Sequence, residues 1–570
     1  MGNKDKRQKT RYKRKRTARN ATGTKKPVVA ASPSDSETDI PCDVIDFNII
    51  LDCSILKSII DVIGKCPECD KRLHLTIDTV NKKGLSLPIK LSCCCCDWNH
   101  TVYSSSRLDK SDDKSRFEVN LRSVMAFREI GKGLTALESF CSVMNMPSPV
   151  SNVGYARINN LLHKAYTEAA QDSMENAAKV VRNNTDMITD IVASFDGTWQ
   201  RRGYASLNGI VTCIERVNDK CIDIEIKTKE CKSCNFWEKK DKGSDAYQTW
   251  KDTHQCSINH DGSSASMETS GVLSMFKRSV DSRKLRYKTF IGDGDSSSYP
   301  NVVKEDPYPG LVIKKGECIG HVQKRVGSNL RRLRKKLPAD RKKAIFGKGK
   351  LTDASINYIQ NCYGLAIRQN TGNLYQMVKN VAAILPHCSD DSDDAQRHKY
   401  CNREEDSWCS YWNKTKQYKH KFSIKESVQH EPEIKSLFER LREHSLLEKC
   451  LHGKTQNVNE AMNGIIWTKC PKIVYVNRQT LELGTASALL EFNEGKEGIH
   501  NVMSKLGLTS GVFGKRNMRI ISQRRKRHLV RKTLSPVKRR RKEIRANRKH
   551  WADTKHQEEE TTYKAGSFHM

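Results

Sequence analysis

The sequence predicts an α/β protein with a mixed five-stranded sheet, and three observations indicate this fold class. First, apolar runs at 190–196 and 285–292 each read as a buried strand that leads into acidic residues. Second, the segment between them contains a hairpin whose outer strand alternates Ile222, Ile224 and Ile226 with charged residues. Third, amphipathic helical segments precede, separate and follow these strands.

The charge of the chain is unevenly distributed. The 570 residues carry a formal net charge of +35, from 101 Lys and Arg against 66 Asp and Glu. Most of the excess lies in three segments: 1–30 and 324–350 each hold 12 basic and 1 acidic residue, and 515–549 holds 17 basic and 1 acidic residue. Because the rest of the chain is close to neutral, this pattern predicts a protein that binds a polyanion through local basic surfaces.

The sequence offers no membrane anchor. Its most apolar stretch, 47–64, is interrupted by Asp52, Lys57 and Asp61, so it contains no run of about 18 apolar residues. The basic N-terminal residues lack the apolar segment of a secretory signal, and Lys6 stands where a myristoylation motif has Ser or Thr. We therefore expect an intracellular protein with no membrane partner. The basic runs at both ends predict localisation to the nucleus, although solvated tails would have the same composition.

Composition shifts and cysteine clusters divide the chain into seven expected segments. They are a disordered basic tail and linker (1–45), a zinc-ribbon-like module (46–115), a helical linker or DNA-binding region (116–185), the first part of the sheet core (186–350) with an insert at about 230–261, a helical insertion (351–450), a C-terminal helix region of the core (451–500) and a basic C-terminal tail (501–570).

Cysteine spacing predicts a structural zinc site near the N-terminus. In an intracellular protein, a count of 21 Cys favours thiol-metal sites over disulfides. A C-x2-C pair precedes four consecutive cysteines, and the outer two of these repeat the same spacing. Two such knuckles place four thiolates around one tetrahedral ion, as in a zinc ribbon. The predicted ligands are Cys66, Cys69, Cys93 and Cys96.

Two further Cys/His clusters interrupt the core. The insert after the hairpin offers His260 and four residues that we expect to bind zinc: Cys231, Cys234, His254 and Cys256. The helical insertion contains a looser set: His387, His398, Cys401 and Cys409. Buried free cysteines are the alternative interpretation of both clusters.

Two aspartates mark a candidate catalytic site. The order strand, strand, strand, helix, strand is that of a ribonuclease H-like fold, in which the first and fourth strands are adjacent and parallel. Asp196 and Asp293 would then lie at the C-terminal ends of neighbouring strands, close enough to share hard divalent cations. Asp295 is an alternative to Asp293. For an isolated Asp196, a turn at the protein surface is the simpler interpretation.

Glu460 is the best candidate for a third acid that holds a second cation. It lies on a predicted helix with a buried apolar stripe, and it projects from a different face of that helix. The stripe consists of Val458, Met462, Ile465 and Ile466. Taken alone, Glu460 would be an ordinary solvated helix residue.

Cys318 and His321 begin another predicted helix. Their spacing puts them on one face, and two ligands make a poor zinc site, so we expect them to form a wall of the candidate site. The other faces of this helix are basic, and we expect them to follow phosphates. The residues concerned are Arg325, Arg331, Arg332, Lys335 and Lys336.

Five motifs in one order resemble the transposases of Mutator-like DNA transposons, in the branch found in animal genomes. The motifs are SFDGTWQRRGYASLNG, IGDGDSSSY, ECIGHVQKR, SWCSY and TQNVNEAMN, within about residues 47–500. The resemblance implies a DDE-type enzyme with Asp196, Asp293 and Glu460 as its acids, a C-x2-H motif at Cys318 and His321, and an all-helical insertion. It also implies two Mg²⁺ or Mn²⁺ ions, binding of double-stranded DNA at terminal inverted repeats, strand cleavage, strand transfer into target DNA, and a homo-oligomer on DNA. No small-molecule substrate is expected.

Two other functions stay open at the level of sequence. A domesticated transposase would keep the fold and bind DNA in the nucleus without cutting it, although the three intact acids favour an active enzyme. A ribonuclease or another nuclease on the same core is disfavoured by the cysteine-rich inserts and by the motif set.

Overall fold

A computed structural model describes residues 48–108, 116–201, 206–240, 242–293, 297–404, 407–413, 418 and 422–558. The expected N-terminal basic tail and Asp295 lie outside these residues. Contacts divide the chain into Met1–Ile49 and Ile50–Met570, and the elements below belong to the second unit.

The N-terminal part is a helix followed by a small antiparallel sheet. Helix α1 (Cys53–Ile63) begins after Asp52, whose carboxylate accepts the backbone N–H of Ser54 at 2.8 Å, and it ends before Gly64. Strands β1 (Leu73–Ile77), β2 (Pro88–Cys93) and β3 (Asn99–Tyr103) pair in the order β1-β2-β3. Of the predicted zinc-binding cysteines, Cys66 and Cys69 precede β1, Cys93 is the last residue of β2, and Cys96 follows β2.

Three helices lead from this module to the main sheet. They are α2 (Glu118–Glu129), α3 (Leu134–Val143) and α4 (Asn152–Val181), which confirm the helical stretch predicted here. Helix α4 has 30 residues and begins after Ser151, whose hydroxyl accepts the N–H of Gly154. Several of its buried residues are small, among them Ala165, Ala169 and Ala178.

The main sheet has five strands and mixed pairing, as predicted. The strands are β4 (Thr189–Trp199), β5 (Asn208–Glu215), β6 (Cys221–Thr228), β7 (Leu285–Gly292) and β8 (Lys314–Glu317). Their order across the sheet is β6-β5-β4-β7-β8. Strand β4 pairs antiparallel with β5 and parallel with β7. Strand β6 pairs antiparallel with β5, and β8 pairs parallel with β7. The first and fourth strands of the predicted order are therefore neighbours.

Among the helices between and after the strands, the one that leads into β7 packs on the sheet. Helices α5 (Lys232–Trp237) and α6 (Asp245–Thr253) form the insert after β6, α7 (Ser266–Arg283) leads into β7, α8 (Ser298–Glu305) connects β7 with β8, and α9 (Ile319–Lys336) follows β8. Val272 and Phe276 of α7 are fully or almost fully buried. The ring of Phe276 stacks on Phe195 of β4, with centroids 5.3 Å apart. This contact fixes α7 against the strand that carries Asp196.

The alternation predicted along β6 is wrong in part. Asp223 is only 3% exposed, whereas Ile224 and Ile226 are partly buried. Asp223 is buried because two nitrogens of Arg278 on α7 donate to its carboxylate at 2.7 and 2.9 Å. Ile224 and Ile226 line a cavity of about 410 Å³, which leaves them partly exposed.

The insertion after α9 is helical, as predicted, and the described residues of 351–450 contain no β-strand. Its helices and the one before them are α10 (Ala339–Ile345), α11 (Asp353–Arg368), α12 (Leu374–Ala382), α13 (Ile384–His387), α14 (Asp394–Arg397), α15 (Glu426–His430), α16 (Pro432–Leu441) and α17 (His444–Glu448). All of them except α14 contribute to one hydrophobic core, to which α9 adds Val322, Val326 and Leu330. The apolar stripe predicted for α9 therefore faces the insertion.

The chain ends in helices. Helices α18 (Asn457–Lys469) and α19 (Arg478–Glu494) pack on the sheet, and α19 also packs along α4. A 3-10 turn (Lys496–Gly498) and α20 (Ile499–Lys505) follow. Helices α21 (Val512–Thr533) and α22 (Ser535–Glu558) occupy the predicted basic tail, and no residue of α21 is buried. None of the helices described is both long and apolar enough to cross a lipid bilayer.

Buried amide side chains fix α18 to the sheet. Gln456 donates from Nε2 to the carbonyl oxygen of Phe195 at 2.7 Å, and Asn459 donates from Nδ2 to the carbonyl oxygens of Ser194 and Thr212 at 3.1 and 3.2 Å. Both amides are buried. Because hydrogen bonds are directional, these contacts set the rotation of α18 about its axis.

Replacing Asn459 by Ala should destabilise the fold by about 1–3 kcal/mol, because it removes a buried donor to two carbonyl oxygens. Asn457→Ala, two residues earlier and exposed on the same helix, is the matched control and should change little. Urea denaturation followed by circular dichroism measures both. An equal loss in the free energy of unfolding in the two variants would contradict the role of Asn459.

Candidate active site and metal centres

Asp196 lies inside β4 and not at its end, which corrects the position predicted for it. The parallel pairing of β4 with β7 ends at Ser194 and Ile291, whereas β5 stays paired with β4 as far as Trp199. Asp196 therefore extends beyond its parallel neighbour while still held in the sheet. Asn463 of α18 donates from Nδ2 to Asp196 Oδ2 at 2.7 Å, so this carboxylate lies between β4 and α18.

Asp293 directly follows β7 and faces the start of α9. Its Oδ1 lies 3.7 Å from His321 Nδ1 and 3.6 Å from Arg325 Nη2. Both distances exceed ordinary hydrogen-bond lengths, and half of the Asp293 side chain is exposed. The two neighbours thus attract this carboxylate and leave it open to a further ligand. Asp295 lies outside the described residues, so the choice between Asp293 and Asp295 stays a prediction.

Glu460 lies in the first turn of α18 and is exposed. The amide contacts that fix α18 place Asn463 against Asp196 and Glu460 three residues earlier on the same helix. The charge of Glu460 is close enough to Asp196 to raise its pKa. The structure therefore brings this predicted third acid to the same part of the sheet.

Negative charge is concentrated around Asp196. The pKa of Asp196 is raised to about 7, first by burial and then by the charges of Glu268 and Glu460, with a smaller contribution from Asp293. His321 acts in the opposite direction. A hard divalent cation prefers carboxylate oxygens and would offset this repulsion. The residues at this site therefore fit Mg²⁺ or Mn²⁺.

No three carboxylates of the described residues lie as close together as the ligands of the Cys/His clusters. In the described part of the chain, the groups whose ligand atoms all lie within 4.8 Å of one another consist of Cys and His alone. Two cations about 3.5–4 Å apart need ligands spread over a larger volume. The wider spacing is thus compatible with a two-ion site.

Glu268 is a fourth carboxylate at this place, and the sequence analysis missed it. It lies in the first turn of α7, and its Oε2 is 2.7 Å from the position that a Cβ atom on Gly197 would take. A glutamate in the first turn of a helix is common, because it interacts favourably with the helix dipole. No sequence signal therefore separates Glu268 from such residues, and only the packing of α7 on β4 reveals it. The contact of Asn463 with Asp196 was missed for the same reason.

Cys318 and His321 connect α9 with the start of α18. Cys318 is buried just before α9, and its sulfur accepts the backbone N–H of Gln456 at 3.3 Å. Burial raises the pKa of Cys318, but His321 and the N–H of Gln456 outweigh it and lower the pKa overall. Cys318 is in turn the largest cause of the raised pKa of His321. These contacts support the predicted place in the wall of the site.

The five basic residues predicted on α9 have different surroundings. Arg325 Nη2 lies 3.2 Å from Glu317 Oε2, and Arg331 Nε lies 3.2 Å from Asp353 Oδ1. Both guanidinium groups are thus paired within the chain, and a phosphate would compete with a carboxylate for each. The remaining three are exposed: Arg332, Lys335 and Lys336.

The N-terminal cysteines converge as predicted. The Sγ atom of Cys69 lies 3.3 Å from that of Cys93, and the Sγ atom of Cys66 lies 3.6 Å from that of Cys96. A tetrahedron with Zn–S bonds of about 2.3 Å has edges of about 3.8 Å. The backbone N–H of Cys95 is the largest cause of a pKa of about 6 for Cys93, which favours the thiolate form. The donor set and spacing fit one zinc ion.

The cluster in the insert also converges, and it selects His254 over His260. Cys231 Sγ and Cys234 Sγ lie 3.5 and 3.3 Å from His254 Nε2, and Cys256 completes the group. His260 Nε2 instead lies 3.0 Å from the hydroxyl of Ser266. The four predicted ligands are thus the four that could hold a metal ion.

The third cluster is the most deeply buried. It consists of His387, His398, Cys401 and Cys409. His387 Nδ1 lies 3.5 Å from Cys401 Sγ, and His398 Nδ1 lies 3.3 Å from Cys409 Sγ. The opposite ring nitrogens contact the hydroxyls of Tyr358 and Tyr418, each at 3.1 Å. Such contacts to the outer ring nitrogen orient histidines that bind metals. The ligand atoms of this cluster therefore converge like those of the other two Cys/His clusters, although its ligands are less regularly spaced in the sequence.

Comparisons with known proteins bear on these sites. A family model described as Mutator-like transposase matches residues 48–409, which is more than half of the chain. The matched range contains Asp196, Asp293 and the three Cys/His clusters, and it ends before Glu460. A search of curated proteins found no match to this chain.

Asp196→Asn should stabilise the cation-free protein, most strongly above pH 7. The pKa of Asp196 is about 7 in the folded protein against an ordinary 3.8, so its contribution to stability is lost as the pH rises through 7. Asn is neutral at every pH. The gain in thermal midpoint, measured without added Mg²⁺ or Mn²⁺, should therefore grow between about pH 4 and pH 7 and level off above pH 7. A gain that is independent of pH would contradict the raised pKa.

We expect the full-length protein to contain three zinc ions, one for each Cys/His cluster. Replacing Cys66 and Cys69 together by Ser should remove one of them, because thiolates supply all the ligands of that site. The control replaces Cys94 and Cys95, which are exposed in the same run of cysteines and should be dispensable. Elemental analysis of the folded proteins measures zinc. Folded wild-type protein without zinc would contradict the prediction.

Proposed function

The chain belongs to the Mutator-like transposase family, and from this membership we propose that it is a DDE-type DNA transposase with Asp196, Asp293 and Glu460 as its acids. The observation that carries the proposal is the meeting of these carboxylates where β4 extends beyond β7, next to α18. The enzyme would bind the terminal inverted repeats of a Mutator-like transposon, hydrolyse the phosphodiester at the end of the element and join the freed 3′ hydroxyl to target DNA.

The topology of the main sheet supports a ribonuclease H-like core in this proposal. Three antiparallel strands are followed in the chain by two strands parallel to the first, in the order β6-β5-β4-β7-β8. This is the order expected of that core, with Asp196 on its first strand and Asp293 after its fourth. The insert after β6 and the helical insertion after α9 interrupt the core without entering the sheet.

Each acid has contacts that suit its proposed role. Two divalent cations, when bound, would activate a water or hydroxyl nucleophile and stabilise the leaving oxygen of the phosphodiester. The Asn463 amide holds Asp196 in one orientation through a bond of 2.7 Å. His321 and Arg325 keep a positive potential next to Asp293. Glu460 stays exposed and is free to approach a second cation.

Two basic surfaces are proposed to bind double-stranded DNA. One is the exposed C-terminal part of α9, the helix that begins at the candidate active site: Arg332, Lys335 and Lys336. The other is formed by α21 and α22, which hold all the basic residues of 515–549. Long exposed basic helices can follow phosphates along a duplex with little sequence preference. Recognition of the terminal repeats is assigned to the N-terminal zinc module and α2–α4.

The remaining parts of the proposal concern cofactors, partners and location. Zinc would be structural at the three Cys/His clusters, because four protein ligands leave no open position for a reacting group. The enzyme would act in the nucleus as a homo-oligomer on DNA, as the basic termini and the family resemblance imply. Neither a membrane nor a small-molecule substrate has a part in this proposal.

Asp196→Asn, Asp293→Asn and Glu460→Gln should each lower cation-dependent cleavage by orders of magnitude, because each removes a charge that positions a cation. Binding should persist, since the proposed DNA surfaces are untouched. The substrate is DNA from the ends of the element that encodes the chain, and gel assays of cleavage and binding measure the two properties separately. Asp295→Asn is tested in parallel. If Asp293→Asn cleaves normally and Asp295→Asn does not cleave, Asp295 replaces Asp293 as the second acid.

Asp190→Asn is the matched control, because Asp190 lies at the opposite end of β4 and pairs with Arg286 and Lys288. It should cleave normally. Cleavage by Asp196→Asn at the wild-type rate would contradict the mechanism. DNA binding without cleavage by the wild-type protein would favour the domesticated alternative.

A further inference from the structure

The first turn of α7 brings Glu268 into contact with the strand that carries Asp196. A Cβ atom on Gly197 would lie 2.7 Å from Glu268 Oε2 and 3.0 Å from both Cδ and Cγ. Non-bonded carbon atoms do not approach so closely, so the Glu268 side chain occupies space that is open only because residue 197 is glycine. Gly197 follows Asp196 directly, and successive side chains of a strand point to opposite faces, so Glu268 contacts the α7 side of β4 and Asp196 the α18 side. Because β4 extends beyond β7 here, both carboxylates border the same open end of the sheet.

The position of Glu268 is fixed from both sides along α7. Met267 before it is buried, with 1% of its surface exposed, and packs against β5 at Gly209. Thr269 after it contacts the hydroxyl of Ser297 at 2.9 Å, in the segment that connects Asp293 with α8. Glu268 is thus held between the parts of the chain that present Asp196 and Asp293.

We propose that Glu268 is a fourth carboxylate of the cation site and helps Asp196 to hold a divalent cation such as Mg²⁺ or Mn²⁺. This inference rests on the proposed function, since it assigns a further ligand to the site described there.

The charge distribution supports this role for Glu268. Its packing against Gly197 adds a further carboxylate to the immediate surroundings of Asp196. Two carboxylates held this close by a rigid helix and strand repel each other, and a cation between them removes the repulsion. A role limited to stabilising the helix dipole would need the charge at the start of α7 but not its proximity to Asp196.

The test measures Mn²⁺ binding by the full chain, using electron paramagnetic resonance of the free ion, in wild type and four variants. Glu268→Gln should weaken binding about 10-fold or more, the usual effect of losing a contact around a metal site. Gly197→Ala should weaken it as well without changing any charge, because the added methyl displaces the Glu268 side chain. Asp196→Asn should weaken it most. Glu305→Gln removes a glutamate that pairs with Lys277 on the far part of α7, and it should bind like wild type.

The outcomes distinguish a failure of the assignment of Glu268 from a failure of the proposed function. Weaker Mn²⁺ binding by Glu268→Gln and Gly197→Ala, with thermal midpoints close to wild type, supports the assignment. Wild-type binding by Glu268→Gln together with weak binding by Asp196→Asn overturns the role of Glu268 and leaves the proposed function intact. Wild-type binding by Asp196→Asn overturns the cation site itself, and with it both proposals. If Glu268→Gln fails to fold, Gly197→Ala decides the assignment.

Discussion

The parallel pairing of β4 with β7 is the constraint on which the candidate site depends. Because this pairing stops at Ser194, Asp196 extends past the end of β7, and Asp293 emerges from β7 beside it. Helices α7 and α18 then add Glu268 and Glu460 to the same place. The result is a group of like charges around a buried aspartate. Burial first, and then these charges, raise the pKa of Asp196 to about 7, so the folded protein holds this group at a cost when no cation compensates it.

Directional polar contacts orient the elements around this group. Apolar packing alone would let α18 rotate or slide by part of a turn, whereas the amides of Gln456 and Asn459 accept only one arrangement against the carbonyl groups of β4 and β5. The same rotation brings Asn463 to Asp196. Cys318 extends the connection to α9 through the N–H of Gln456. The helix that carries Glu460 is therefore positioned by hydrogen bonds to the strand that carries Asp196.

The sequence predicted the parts of this arrangement that depend on local pattern. Apolar runs located the strands, and C-x2-C spacing located the zinc-ribbon cysteines, because both signals are contained in a few neighbouring residues. Packing between distant segments was not predictable in this way. It buries Asp223 under Arg278, pairs Arg331 with Asp353 and brings Glu268 to Gly197. It also gives the cluster around His387 and His398 its tyrosine contacts, although the spacing of its ligands is irregular.

Anomalous diffraction from crystals of the protein grown with Mn²⁺ tests the central claim most directly, because it locates the cation without relying on cleavage. Bound manganese is predicted among the carboxylates of Asp196, Asp293 and Glu460, with Glu268 among its neighbours, and zinc at the three Cys/His clusters. Manganese bound elsewhere, with these carboxylates free of metal at saturating concentration, would contradict the assignment of this site as the catalytic centre.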